Sequence, residues 1–302
     1  MIDVAVVGPG PIGCAFGGAG ILAGRRVVFA ARTPFDRLTV NYPDVTVDEA
    51  ADVITNPVEA TEASIVLVAT KTYQTEEAAG WFERLVGPET LVVVLQNGVT
   101  HMDRVPPLLG GRGQVLPAVV ACPAERTSPG RVTVTGKVML RIPEGPTGRR
   151  LVEAFEGSMA DIRLERDWLT QAWIKLILNH ASGAVGVLVR RDNSIHQLPE
   201  SAQLLRGLMA EAVEVGKAEG AKLPDDIIDR IYQGLMAGAG SHLASIVADR
   251  LAGQPTEWRE RNEVIVRLAA VHGIDVPLSA VTTTLMSLGE PGTPGERKAI
   301  AP

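Results

Sequence analysis

The sequence has few cysteines, no excess of positive charge and no long apolar stretch free of charged residues. Its two cysteines, Cys14 and Cys122, exclude a disulfide framework and a CxxC zinc pattern, and they favour a reducing cytoplasmic location. The formal net charge of −6 argues against nucleic-acid binding, which needs concentrated positive charge. We expect no membrane span and, because the 5 histidines lack ligand spacing, no metal site.

The first half of the sequence predicts a Rossmann-type, doubly wound α/β fold. Short valine-rich runs alternate with helical stretches and predict the strands, which are IDVAVV, RVVFAA, SIVLVAT, LVVVLQN and QVLPAVVA. Their near-continuous apolarity indicates a parallel sheet covered by helices on both faces. The later runs RVTVTG and VMLRIP predict a small hairpin.

The second half predicts an all-helical domain. From about Trp168, apolar residues recur at three- and four-residue spacing in stretches that end at Gly or before Pro. We therefore predict a Rossmann domain over residues 1–165 and a helical domain over residues 166–302. The Pro- and Gly-rich residues 290–302 are expected to form a loose tail.

A glycine motif follows the first predicted strand. Gly8, Gly10 and Gly13 form G-x-G-x-x-G before the helix-compatible run CAFGGAGILAG, and they are expected to bind the cofactor together with Pro11 and Ile12 inside the motif. In a dinucleotide site the first glycine makes a tight turn, the second admits a pyrophosphate and the third lets helix and strand pack closely. The alternative is a glycine-rich turn without a ligand, but the strand before and the helix after favour cofactor binding.

The end of the second predicted strand indicates which cofactor is bound. NAD enzymes usually carry an acidic residue there, whereas this chain has Arg32 followed by Thr33 and no acid before Asp36. An arginine can pair with the 2′-phosphate of NADP(H), and a threonine hydroxyl can donate to it. The sequence therefore predicts NADP(H), with a solvated surface role for Arg32 as the alternative.

Two polar clusters follow later strands, where ligands of doubly wound sheets bind. Lys71 lies in VATKTYQT, and Asn97 lies in VLQNGVTH. A plain surface position would also account for Lys71. Together these clusters place hydrogen-bond donors where a cofactor is expected.

Five motifs, in order over nearly the whole chain, carry a family resemblance. They are GPGPIG, KTYQT, LQNG, AWIKLILN and the TEW segment with its following Asn. The sequence resembles the ketopantoate reductase (2-dehydropantoate 2-reductase) family. The resemblance implies a Rossmann domain, a helical domain, and NADPH-dependent reduction of a 2-keto acid to a 2-hydroxy acid in pantothenate synthesis.

The resemblance also implies roles for individual residues. Lys175 matches the family's catalytic lysine, which stabilises the developing alkoxide and donates a proton. Glu257 matches a glutamate that contacts the substrate, and it would hold the Lys175 ammonium or bind a substrate hydroxyl.

Further matches concern the substrate and the nicotinamide. Asn179 lies one helical turn after Lys175, and with Asn193 and Ser245 it is expected to bind the substrate. Lys71 and Asn97 match residues that lie near the nicotinamide.

The chain departs from the family pattern at positions that bear on the substrate. Gly183 stands where a second asparagine is common, and Arg259 lies in a segment where the family tends to show an aliphatic residue and an aspartate. An alternative is therefore a related ketone or imine reductase with another substrate. A non-catalytic NADP(H) sensor is a further alternative, which the retention of Lys175 and Glu257 opposes. A homodimer is compatible with the helical second domain.

Overall fold

The computed structural model describes residues 2–238, 240 and 243–293. Chain contacts divide the protein into two compact units, Met1–Trp168 and Leu169–Pro302. This division falls after Trp168, and the domain boundary after residue 165 stays a prediction. Residues 294–302 of the expected tail lie outside the described residues.

All thirteen strands of the described chain precede residue 166. They are β1 (Ile2–Val7), β2 (Val27–Ala30), β3 (Arg37–Asn41), β4 (Thr46–Ala50), β5 (Asp52–Ile54), β6 (Ala63–Val68), β7 (Leu91–Val94), β8 (Gln114–Pro117), β9 (Val119–Ala121), β10 (Ala124–Ser128), β11 (Arg131–Val134), β12 (Met139–Pro143) and β13 (Asp161–Glu165).

Ten α-helices are described, of which six follow the last strand. They are α1 (Pro11–Leu22), α2 (Ala79–Leu85), α3 (His101–Arg104), α4 (Pro146–Ala154), α5 (Trp168–Val189), α6 (Pro199–Ala218), α7 (Ile227–Ala237), α8 (Ser245–Leu251), α9 (Val264–His272) and α10 (Pro277–Leu288). A π-helical turn, Arg259–Glu263, leads directly into α9.

A six-stranded parallel sheet forms the centre of the first unit. Its strand order is β5-β2-β1-β6-β7-β8, which is the 3-2-1-4-5-6 order of dinucleotide-binding sheets. Alternate residues of each strand pack into separate cores on the two faces: Val4 and Val6 lie on one face, Ala5 and Val7 on the other. The predicted Rossmann-type sheet is thereby confirmed.

Two smaller sheets complete the first unit, and they correct the predicted hairpin. One sheet has the order β10-β11-β3-β4, and the other has the order β13-β12-β9. RVTVTG supplies β11 and VMLRIP supplies β12, so the two runs lie in different sheets and do not pair with each other. The hairpin prediction was wrong because local alternation gives no information on which distant strand completes each pair.

Helix α1 is rich in glycine because it contacts two sheets. A side chain at Gly17 would place its Cβ 2.5 Å from the ring of Phe29 in β2, and one at Gly18 would lie 2.5 Å from the hydroxyl of Tyr42, just after β3. Neither separation is compatible with a real Cβ. The glycines let the helix backbone approach both layers, and this holds the loop before the helix in place.

All regular secondary structure in the described residues of the second unit is helical, as predicted. Its long helix α5 is apolar enough to cross a membrane by length and composition alone, with a mean hydropathy of 1.4, and 67% of that window is buried inside the protein. Buried core helices of globular domains pass the same test. No other described helix meets this criterion.

The glycines of α5 mark its contact with α8. A Cβ at Gly186 would lie 2.8 Å from Cγ2 of Val247, and a Cβ at Gly183 would lie 3.4 Å from Cγ2 of Ile246. Helix α8 therefore packs closely along the second half of α5. This contact brings Ser245, the first residue of α8, to the helix that carries Lys175.

Candidate functional site

The glycine loop joins β1 to α1 in the conformation that the motif predicts. Gly8 has a φ of +86°, in the region that favours glycine, and its N–H donates to the carbonyl of Ala30 over 3.2 Å. The helix begins at Pro11, and no side chain caps its N-terminus. Its first turn can therefore offer N–H groups and a partial positive charge to an anion.

Gly10 and Gly13 have different surroundings, and both fit a bound pyrophosphate. A Cβ at Gly10 would meet nothing within 4 Å, so the backbone faces open space. A Cβ at Gly13 would lie 2.5 Å from the carbonyl oxygen of Gly8 and 2.9 Å from Val6. The second glycine leaves room for a ligand, and the third lets the helix pack on β1. The residues present thus fit a dinucleotide.

Cys14 is a packing residue of α1. Its side chain is fully buried, and its Sγ lies 3.2 Å from the carbonyl oxygen of Pro9. Burial raises the pKa of the Cys14 thiol to about 12, so the reactive thiolate is not formed near neutral pH.

Arg32 and Thr33 follow β2 and are both exposed. The Arg32 Nη1 lies 3.6 Å from Oε2 of Glu77, and the two side chains are 75% and 66% exposed. Such an exposed pair contributes little to stability, about 0–1 kcal/mol. The guanidinium can therefore exchange Glu77 for a phosphate at small cost.

A buried amide joins the loops that follow β6 and β7. Nε2 of Gln96 donates to the carbonyl and the hydroxyl of Thr70 over 3.1 and 2.9 Å, and to the hydroxyl of Thr75 over 2.8 Å. Oε1 of Gln96 accepts from Nε of Arg104 over 3.1 Å. These hydrogen bonds hold the loop after β6 in place. The half-buried Lys71 belongs to this loop, since it lies between Thr70 and Thr75 in the sequence.

Asn97 lies next to this network. Its side chain is half-buried, and its carbonyl oxygen accepts from Nη2 of Arg104 over 3.5 Å. Gly8 also contacts the β6 loop, since a Cβ there would lie 2.7 Å from the Thr70 nitrogen. The structure therefore brings the glycine loop, Lys71 and Asn97 together at the carboxyl ends of neighbouring strands. Sequence reasoning did not select Arg104 or Thr75, which are ordinary in type and spacing.

In the second unit, Lys175 and Asn179 lie one turn apart on one face of α5, both half-buried. Gly183 follows a further turn along that face and packs near Ile246. Asn193 opens a short 3-10 turn after α5, and its side chain is half-buried. The predicted substrate residues Asn179 and Asn193 thus lie on α5 and directly after it.

Glu257 and Ser245 are joined by an arginine that the sequence interpretation did not select. Glu257 is only 4% exposed, and its Oε2 lies 3.7 Å from Nη2 of Arg261. The same nitrogen donates to Oγ of Ser245 over 3.0 Å. The cluster of Ser245, Glu257 and Arg261 is thus one connected polar group. The i, i+4 spacing of Glu257 and Arg261 was the available signal in the sequence.

The backbone of Arg261 is fixed to α5 through His180, because the Arg261 carbonyl oxygen lies 3.3 Å from the ring nitrogen Nδ1 of His180. Nδ2 of Asn262 lies 3.1 Å from Nδ1 of His180 and donates to the His180 carbonyl over 3.0 Å. Nε2 of His180 lies 3.0 Å from Oγ of Ser279. Burial lowers the pKa of the His180 imidazole to about 4, so the ring is neutral at pH 7. It serves as a fixed hydrogen-bonding link between α5, the π-helical turn and α10.

Thr256 anchors the segment before the π-helical turn. Its N–H and its hydroxyl both donate to the carboxylate of Glu290, over 2.5 and 2.9 Å. Glu257 is the next residue, so its backbone is restrained on one side by this pair and on the other by the helix. No group of three or more His, Cys, Asp or Glu side chains with metal-binding geometry occurs in the described residues.

The fold and the glycine loop define a Rossmann-type protein with a nucleotide-binding first unit and a helical second unit. Residues 4–147 match the family model described as "Ketopantoate reductase PanE/ApbA", and residues 167–290 match its C-terminal model. The chain belongs to the ketopantoate reductase family, whose members act on a CH–OH group. The resemblance seen in the five sequence motifs is confirmed.

Individual relatives agree with this assignment over nearly the full length. A 2-dehydropantoate 2-reductase of Caulobacter vibrioides is 39% identical over 292 residues, covering 95% of this chain and 99% of the relative. The structure of a PanE/ApbA family ketopantoate reductase from Ralstonia eutropha JMP134 is 28% identical, with a TM-score of 0.88 and coverage of 96% and 98%. A dimeric ketopantoate reductase from Staphylococcus aureus shares the fold at 23% identity, with a TM-score of 0.86 and coverage of 96% and 99%.

Proposed function

We propose that the protein catalyses the NADPH-dependent reduction of 2-dehydropantoate to pantoate, with Lys175 as proton donor. The observation that carries this proposal is the packing of α5 against α8. It joins the helix of Lys175 and Asn179 to the cluster of Ser245, Glu257 and Arg261. A lysine, neutral donors and a buried carboxylate in one unit are the groups that reduction of a keto acid requires.

The residues of the first unit support binding of NADPH. The glycine loop and the first turn of α1 would hold the pyrophosphate, and Arg32 with Thr33 would hold the 2′-phosphate. Lys71 and Asn97 would line the nicotinamide end of the site. When bound, the cofactor supplies the hydride for the ketone carbon.

The residues of the second unit support the proton step. The ammonium of Lys175 would stabilise the negative charge that develops on the ketone oxygen and would transfer a proton from Nζ to that oxygen. Glu257 would hold this ammonium or bind a substrate hydroxyl. Asn179, Asn193 and Ser245 would donate hydrogen bonds that orient the substrate.

A second candidate is reduction of a different carbonyl or imine by the same machinery. Gly183 removes a side chain from the face of Lys175, which favours a substrate of different shape. Arg259, by contrast, is exposed, and its guanidinium stacks over the ring of Trp258 at 5.3 Å, which supports a surface role. A sensor without catalysis is opposed by Lys175 and Glu257.

The deciding experiment follows NADPH oxidation with 2-dehydropantoate and with a panel of other 2-keto acids and imines. Turnover of 2-dehydropantoate above all others supports the proposal. NADPH binding with turnover only of another carbonyl supports the second candidate. NADPH binding without any turnover supports the sensor.

We extend the proposal to a cytoplasmic homodimer. Four apolar side chains of α10 are at least 40% exposed and recur along one side of the helix, and they are Leu278, Val281, Leu285 and Leu288. A second copy of the chain would bury them, and the related Staphylococcus aureus enzyme is described as dimeric. Light scattering coupled to gel filtration tests this, and a mass of one chain of 32.0 kDa would contradict it.

A further inference from the structure

Arg261 carries a buried positive charge next to two expected substrate contacts. Its side chain is 5% exposed, and Nη2 is shared between Ser245 Oγ at 3.0 Å and Glu257 Oε2 at 3.7 Å. Its Nε is buried and has no hydrogen-bond partner among the described residues. A buried guanidinium that keeps an unused donor beside an exposed hydroxyl is suited to accept a further anionic ligand.

The negative charges of the substrate and of Glu257 are a second reason to expect a cationic side chain that binds the substrate. A 2-keto acid brings a carboxylate, and Glu257 already places one in the same cluster, 3.7 Å from Nη2 of Arg261. Two carboxylates in a site of low dielectric repel each other strongly unless a positive group lies between them. Arginine suits this role because its planar fork can donate to two carboxylates at once and it stays charged at any relevant pH.

The position of Arg261 is firmly set by the fold. Its carbonyl oxygen lies 3.3 Å from Nδ1 of His180, and the adjacent Asn262 donates to the His180 carbonyl. The π-helical turn Arg259–Glu263 directs the side chain toward Ser245. Substrate-binding groups held in this way lose little entropy when the ligand arrives.

We propose that Arg261 determines specificity for a carboxylate-bearing substrate by binding the carboxylate of the 2-keto acid, with Ser245 orienting the guanidinium. The inference rests on the proposed function and names the group of that same site that selects an acid. Gly183 lies close to this cluster, since a Cβ added there would contact Ile246, the residue after Ser245.

The test compares an acid with a neutral analogue of the same carbon skeleton. We would measure kcat and KM for 2-dehydropantoate and for its lactone, which keeps the ketone but has no carboxylate, in the wild type, Arg261→Gln and Arg261→Lys. Arg259→Gln is the matched control, since it removes an exposed guanidinium two residues away. We expect Arg261→Gln to lower kcat/KM for the acid about 100-fold, mainly through KM, and to change that for the lactone less than about threefold.

Arg261→Lys keeps the charge but loses the fork, so we expect an intermediate loss with the acid only. Equal losses with acid and lactone in Arg261→Gln or Arg261→Lys would show a merely structural role and overturn the proposal. If Arg261→Gln does not fold, the acid-to-lactone ratio of Arg261→Lys decides.

Calorimetric binding of pantoate and its lactone makes the same comparison without turnover. The proposal predicts that Arg261→Lys loses affinity for pantoate and keeps its affinity for the lactone, and unchanged pantoate affinity would overturn it. A wild type that binds NADPH and pantoate but reduces no keto acid would reject the proposed function while leaving this binding test decisive.

Discussion

Gly10 and Gly13 lie three residues apart in one loop, yet a Cβ would meet nothing within 4 Å at the first and the Gly8 carbonyl oxygen at 2.5 Å at the second. One position is thus open to a ligand, whereas the other is closed by the protein's own backbone. Substitution separates these two roles.

We expect Gly10→Ala to fold normally and to weaken NADPH binding about tenfold or more, because the added methyl group occupies the space left for the pyrophosphate. The dissociation constant is measured by NADPH fluorescence, and folding by the melting temperature. Gly234→Ala is the matched control, since Gly234 also has nothing within 4 Å of its would-be Cβ but lies in α7. Equal NADPH affinity in Gly10→Ala and the control would reject the assignment of the loop.

The contact of α5 with α8 gives a stability prediction. Gly186→Ala should lower the free energy of unfolding by about 1–3 kcal/mol, because its Cβ would lie 2.8 Å from the buried Val247. Gly183→Ala has an ordinary separation of 3.4 Å from Ile246 and should be neutral or stabilise the helix by up to about 1 kcal/mol. Urea unfolding of both variants measures the difference, and a Gly186→Ala variant as stable as Gly183→Ala would contradict the packing.

Removal of the proposed proton donor should separate catalysis from cofactor binding. We expect Lys175→Ala to reduce kcat about 10²- to 10⁴-fold while the NADPH dissociation constant stays within about threefold. Lys217→Ala is the control, since Lys217 is exposed on α6 and pairs with Glu214 at 3.6 Å. Comparable loss of NADPH affinity and turnover would place Lys175 in cofactor binding instead.

Arg32 should discriminate between the two nicotinamide cofactors. Arg32→Ala is expected to weaken NADPH binding about tenfold or more and leave NADH unchanged, because only NADPH carries the 2′-phosphate. Glu77→Gln removes the competing carboxylate and should leave NADPH affinity unchanged or raise it slightly. Arg26→Ala, at the other end of β2 and paired with Asp52 at 3.3 Å, is the control. Parallel losses for NADPH and NADH would argue against a 2′-phosphate contact.

His180 predicts how stability depends on pH. Its pKa falls from 6.5 in the unfolded chain to about 4 in the fold, so below pH 6.5 the unfolded state binds the extra proton. Stability should therefore fall as pH drops from about 7 towards 4, by about 2–3 kcal/mol at pH 4.5 from this group alone. Urea unfolding at pH 7.5 and 4.5 should show a smaller loss in His180→Gln than in the wild type. His196, whose pKa burial also lowers, contributes in the same direction and is present in both proteins. An equal loss would exclude His180 as the source.

The sequence was most informative where local chemistry leaves few options. The glycine motif after a valine-rich run predicted the loop, the helix and the parallel sheet, because each feature follows from nearby residues. The helical second half followed from its periodicity. The separation of β11 and β12 into different sheets could not be predicted, since it depends on the pairing of β11 with β3 and of β12 with β9 and β13, which lie far away along the chain.

The candidate site likewise contains residues that the sequence predicts and residues that only the fold shows. Motif matches named Lys175, Glu257 and Ser245, whereas Arg261 emerged only from the fold, which places its guanidinium between the last two. An arginine on an amphipathic helix is usually solvated, and its i, i+4 spacing from Glu257 indicates an ion pair but does not indicate that the pair is buried. Gln96 is similar, since only the tertiary structure shows that its amide joins two loops.

The π-helical turn Arg259–Glu263 has a consequence for chain length. A π turn carries one residue more than the α turn it replaces, so deleting one residue there restores a regular helix and rotates everything before it by about 100° relative to α9. Glu257 would then leave its place in the cluster with Ser245 and Arg261, although every residue named in the site would still be present in the sequence. In this protein the spacing between the site residues is therefore as much a part of the family pattern as the residues themselves, and a homologue one residue shorter here would need a different arrangement to keep the cluster of Ser245, Glu257 and Arg261 together.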